Sequence, residues 1–174
     1  MKKIIVSLIG VIITISFILL AGCNMEFFEK LSPIQYNNKV VESLNQTSET
    51  IENTILVYDI SIPDLVTEES EIDTTDMETS YDLAKEIISN SASILELSSK
   101  DEAQQTEVRV EFQNYISLGE EYLAKYLAMI EYYKTGLYLE DLSLVTEHDT
   151  TIYDAYNTFI ESNNTLVDIL ESYI

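Results

Sequence analysis

Residues 150–173, TTIYDAYNTFIESNNTLVDILESY, place Ile152, Tyr156, Phe159, Asn163, Leu166, Leu170 and Tyr173 at successive spacings of 4, 3, 4, 3, 4 and 3. That alternation holds large side chains on one stripe of an α-helix and makes a seam for packing against other helices. A half-buried strand would instead alternate with a period of two. The one polar member, Asn163, sits where an amide can set helix register at some cost in stability. The stretch predicts a helix over 150–173 with one face buried.

The same pattern extends upstream. Val108, Phe112, Tyr115, Gly119, Tyr122, Tyr126, Met129 or Ile130, Tyr133 and Leu137 predict a helix over 102–135, reaching 142 if Gly136 kinks rather than ends it. At 1.5 Å per residue it spans roughly 50 Å. Val40, Leu44, Thr47, Ile51, Ile55 and Tyr58 predict a helix over 35–58, which Pro63 and the polar residues after it terminate. A helix over 79–99 is predicted from the inner face Ala84, Ile87, Ser91, Ile94 and Leu95, with Thr79 or Ser80 as its cap. Between them, residues 60–78 form an acidic connection containing Glu68, Glu69, Glu71, Asp73, Asp76 and Glu78. After residue 22 the only Gly and Pro residues are Gly119, Gly136, Pro33 and Pro63, too few for the many tight turns of a β or α/β fold. The expected fold is all-α, an antiparallel four-helix bundle over 35–174. A three-helix bundle with a loosely docked first segment is the alternative.

The first 22 residues do not belong to that pattern. Met1-Lys2-Lys3 is followed by an uncharged run over 4–20 and by the small residues Ala21 and Gly22. A basic start, an apolar middle and a small-residue end describe an export signal. The run is also close to the lower limit for a spanning helix, so an uncleaved anchor is the competing reading. Leu20-Ala21-Gly22-Cys23 separates the two, because it contains the only cysteine of the chain. This segment resembles the lipobox of bacterial lipoprotein precursors. The resemblance covers residues 1–23. It implies cleavage between Gly22 and Cys23, thioether lipidation of Cys23, and a cell-membrane or outer-membrane protein on the extracytoplasmic side. Two acyl chains suffice for stable anchoring. Residues 23–34, with Phe27 and Phe28, are then a lipid-anchored tether. Asn24 weakly favours the outer membrane over the inner, given the aspartate that often marks inner-membrane retention at that position. The opening Tyr36-Asn37-Asn38-Lys39-Val40-Val41 is faintly similar to uncharacterised helical bacterial lipoproteins. It implies no catalytic residues.

Charge narrows the partners. The chain carries 31 acidic and 9 basic residues, a formal charge of −22, and loss of Lys2 and Lys3 with the signal deepens it by two. Such a body is repelled by nucleic acid and by anionic head groups, so lipid on Cys23 and not the protein surface is its hold on the bilayer. With one cysteine, stability rests on an apolar core rather than on disulfides.

The side-chain inventory points away from an enzyme and requires no cofactor. His148 is the only histidine and is expected in a polar turn between helices. Zinc hydrolysis needs several nitrogen or sulfur ligands, and a di-iron bundle needs Glu-x-x-His pairs; Val145 stands three before His148. Carboxylates alone can run glycoside hydrolysis, but no tryptophan offers a sugar platform and no acid pair stands out. Asp73, Asp76 and Glu78 could bind calcium, although their stretch lacks the glycine of a calcium loop. Tyr115, Tyr122, Tyr126 and Tyr133 read as core. Tyr132 and Tyr138 fall off that stripe and are the expected contacts for a protein partner. The expected role is a binding module for another envelope component. Small-molecule or cation binding is the alternative, and a cell-envelope enzyme a more distant one.

Overall fold

The computed structural model describes residues 30–63, 66–67 and 70–173. Four helices form: α1 (Pro33–Ser61), α2 (Thr75–Ala92), α3 (Glu102–Lys134) and α4 (Ser143–Glu171). Short 3₁₀ turns extend α2 over Ser93–Glu96 and follow α3 over Leu137–Leu139. Among the described residues there is no strand, only an isolated parallel bridge between Leu31 and Ser99. The fold is the all-α four-helix bundle. Thr47 meets Ser91, Tyr126 meets Ser80, Tyr156 meets Tyr122, and Asn163 meets Ser48. With Leu56 beside Leu83, Glu78–Lys134, Tyr115–Phe159 and Asp59–Tyr153 as second contacts at the same seams, each helix runs antiparallel to its neighbours, with α4 returning beside α1. The diagonal pair α1 and α3 run parallel, joined by Asn37–Gln104 and Thr54–Tyr122.

The helix ends follow from local chemistry. Ser32 caps α1 in a reciprocal capping box with Gln35, and Pro33 supplies a preset first turn. Leu31 is pinned further, donating to the Ser98 carbonyl at 2.7 Å and accepting from Lys100 N at 2.8 Å. Residues 31–34 therefore belong to the bundle and not to a tether. Ile62 before Pro63 turns extended, φ −101° and ψ 122°, because the proline ring disfavours a helical predecessor. Asp73 accepts from both N and Oγ1 of Thr75, so α2 starts four residues before its expected start. Asp76 and Glu78 then lie in its first turn, where the helix dipole favours acids. Asp141 likewise accepts from N and Oγ of Ser143 and starts α4 well before residue 150. His148 is accordingly a helical residue and not part of a turn.

The predicted core stripes of α1 and α3 are buried, Leu137 excepted. On α4 the buried face is Ile152, Ala155, Phe159, Ser162, Leu166 and Leu170. Tyr156 and Asn163 sit at its edge, half-buried, and Tyr173 is exposed. On α2, Ile88 rather than Ile87 is buried, against Gly119. A Cβ at Gly119 would stand 2.9 Å from Ile88 Cδ1 and 3.4 Å from Phe159 Cε2. This glycine lets side chains of α2 and α4 close over α3.

Candidate functional site

Three regions carry chemistry-bearing side chains. The first is inside the bundle. Tyr115 OH lies 2.9 Å from Ser48 Oγ, which donates to Asn163 Oδ1 at 2.7 Å; the Leu44 carbonyl, 3.2 Å away, also accepts from Tyr115. The relay joins α3, α1 and α4 through the asparagine that the sequence marks as a register device. Tyr122 OH pairs with Thr54 Oγ1 at 2.7 Å, and Tyr126 OH with Ser80 Oγ at 3.2 Å. Burial pushes the Tyr115 and Tyr122 hydroxyls far above the ordinary tyrosine range and Tyr126 to about 12. They stay protonated at neutral pH and serve as fixed hydrogen-bonding groups, not as bases. The hydroxyls of Tyr36, Tyr58 and Tyr133 are buried without a partner among the described residues.

The second region is the end of the bundle at the 135–142 turn. Gly136, at φ +74°, reverses the chain in a left-handed conformation that side chains with a Cβ disfavour. The following turn lays Tyr138 against Tyr133 and Tyr132, with ring centroids 5.7 and 6.5 Å apart. Tyr132 also lies 4.3 Å from His148. Tyr132 OH donates to the Asp141 carbonyl at 3.0 Å and Tyr138 OH to the Ser70 carbonyl at 2.5 Å. Both residues are buried, 4% and 5% exposed, which corrects the expectation that they present a partner surface. Helical spacing puts them off the α3 stripe, but the returning turn covers that side. The exposed tyrosines are Tyr153 and Tyr173, which donate to Asp59 and Glu107.

Two of the three carboxylates considered for cation binding, Asp73 and Glu78, have other partners. Asp73 serves Thr75, and those hydrogen bonds hold its pKa below the usual range. Glu78 is lowered by Lys134, 2.9 Å away, and by Thr74. Among the described residues, no group of three or more His, Cys, Asp or Glu could hold a metal.

The third region is the outer seam between α1 and α2. Glu49, Thr50, Glu52, Asn53, Leu56 and Leu83 line an open cleft of about 460 Å³. Leu56 and Leu83 are each 51% exposed, and Ile60 beyond them 85%. Asp82 and Glu86 flank Leu83 on α2. Glu49, Glu52, Asp82 and Glu86 are exposed and make no ion pair among the described residues. The seam continues past Ser43, a buried residue whose hydroxyl has no partner among the described residues. Nothing in the sequence reading singled out this face, because Leu56 and Leu83 simply fall outside the core stripes. The seam between α2 and α3 differs: its cleft of about 420 Å³ contains Lys85, whose ammonium lies 5.7 Å from the Tyr81 ring centroid.

Gly22 and Cys23 lie outside the described residues. No helix among the described residues is long and apolar enough to cross a membrane. No family model, curated protein or solved structure matches the chain. Fold and surface together define an acidic four-helix bundle with most of its tyrosines turned inward and a cleft of acidic and leucine side chains left open between its first two helices.

Proposed function

We propose that the protein is a lipid-anchored extracytoplasmic lipoprotein whose bundle acts by binding another component of the cell envelope. Leu20-Ala21-Gly22-Cys23 supports the anchor. The carrying observation for binding is the α1–α2 cleft, where leucines stand half-exposed among acids that make no ion pair among the described residues. Exposed apolar side chains grouped in one cleft lose water-contacting area when a partner covers them. The core tyrosine hydroxyls support the reading from the other side. Tyr115, Tyr122 and Tyr126 are bonded inward and remain protonated at neutral pH, as suits a scaffold.

Growth with an alkyne-bearing fatty acid tests the anchor. The wild-type chain takes up label and pellets with membranes; Cys23→Ser takes up none and moves to the soluble fraction. A Cys23→Ser chain that remains firmly membrane-held refutes lipidation as the anchor. Cross-linking in intact cells tests the binding role. One discrete envelope adduct, lost on Leu56→Ser/Leu83→Ser, is the expected result. Adducts unchanged by that pair of substitutions refute the cleft as the binding face.

A further inference from the structure

We infer that the α1–α2 cleft receives a basic amphipathic helix of a partner protein, an inference that rests on the binding role proposed above. The cleft joins two kinds of surface. Leu56 and Leu83 offer apolar contact, and Ile60 extends it along α1. Glu49 and Glu52 line the same cleft and make no ion pair among the described residues. From Glu49 to Ile60 the wall of α1 is about 17 Å long, enough for three turns of a docked helix. Two adjacent antiparallel helices, α1 and α2, form the walls, which is the shape that accepts an apolar helix face.

Charge chooses the occupant. A second copy of this chain would bring its own acids against Glu49 and Glu52, and like charges across an interface cost affinity. A neutral apolar helix would leave those acids facing its backbone without partners. A helix with Leu-type residues on one face and Lys or Arg beside them satisfies both surfaces. Charge distribution within the bundle points to the same region. Lys30, Lys39, Lys100 and Arg109 lie toward the end where α1 begins, and Lys85, Lys125 and Lys134 lie on the α2–α3 side or on α3. The stretch of seam at Leu56 and Leu83 has no cation in its lining. Long-range attraction of a basic segment would raise its rate of encounter there.

The test uses the full-length chain in nanodiscs of zwitterionic lipid, with a photo-cross-linking residue at Asn53 or, in a separate chain, at Ser89 in the α2–α3 cleft. The probe is an 18-residue Leu/Lys peptide with helical amphipathic spacing. Controls are a scrambled peptide of equal charge and a counterpart with Glu for Lys. The expected result is a cross-link from position 53 to the amphipathic Lys peptide alone. Leu56→Ser/Leu83→Ser should weaken it by about tenfold, as should Glu49→Lys/Glu52→Lys. Both variants must keep the wild-type circular dichroism and Tm, which their exposed positions allow. Equal labelling by the scrambled peptide, or equal labelling from position 89, means general attraction to an acidic body and overturns the inference. No label at position 53 also overturns it. The binding role itself fails only if no cellular adduct forms, whereas an adduct insensitive to Leu56→Ser/Leu83→Ser overturns the cleft alone, so the two failures are distinguishable.

Discussion

Tyr122 and Tyr133 are both buried in the same helix, yet their hydroxyls have opposite standing. Tyr122 pairs with Thr54, while Tyr133 has no partner among the described residues. Removing the first hydroxyl deletes a buried hydrogen bond; removing the second deletes an unmet desolvation cost. Tyr122→Phe should therefore lower stability by about 1 kcal/mol in urea denaturation. Tyr133→Phe should leave it unchanged or raise it. A Tyr133→Phe chain as weak as Tyr122→Phe would contradict the account. Gly119 gives a steric counterpart. Gly119→Val forces the added atoms into Ile88 and Phe159 and should cost about 1–3 kcal/mol. Gly119→Ala should stay within about 1 kcal/mol of wild type, because better helix propensity offsets displacement of the Ile88 terminus. The tyrosine stripe was legible as core from spacing alone. Which hydroxyls have partners was not, since each partner lies on another helix.

At the scale of elements, starts and stops decide the bundle's loops. Asp101 caps α3 by accepting from the amides of Ala103 and Gln104. Asp101→Ala should cost about 1 kcal/mol in thermal or urea unfolding, whereas Asp101→Asn should cost much less. Equal losses for the two would place the effect in charge and not in capping. The starts of α2 and α4 illustrate why boundaries were misread. Apolar periodicity begins only after the first turn, whereas Asp73 with Thr75 and Asp141 with Ser143 set the start several residues earlier. These Asp-x-(Ser/Thr) pairs were present in the sequence and are the signal that locates both ends. The 3₁₀ turn over Leu137–Leu139 follows from Gly136 and carries Tyr138 back over Tyr132. A straight extension of the α3 stripe could not anticipate that return.

For the whole molecule, excess negative charge opposes compactness. With 31 acids against 9 bases, raising salt from about 10 mM to about 0.5 M should raise Tm by screening that repulsion. A fall in Tm would mean that the four described ion pairs outweigh it. Asp149 adds a pH term. Burial raises its pKa above the ordinary 3.8, so its favourable contribution is full below that value and lost as pH rises through the raised one. Asp149→Asn should therefore be more stable than wild type at pH 7, and the gap should close on acidification below about pH 4. A constant gap across pH would assign the effect to packing. The sign is opposite for Asp73 and Glu78, whose lowered pKa values contribute stability above their ordinary range and lose it on acidification.

Helical periodicity and the scarcity of glycine and proline determined, without any structure, that this chain makes four amphipathic helices with the Tyr115, Tyr122, Tyr126 and Tyr133 stripe inward. Those properties are local, set by residues three and four apart on one helix. The same kind of local reading supports the proposal that Cys23 is an anchor point. Tertiary structure alone decided that Tyr132 and Tyr138 are covered and that Leu56 and Leu83 are not. Burial at a helix edge depends on which neighbouring element closes over it. Here the Gly136 turn closes one edge, and the gap between α1 and α2 leaves the other open.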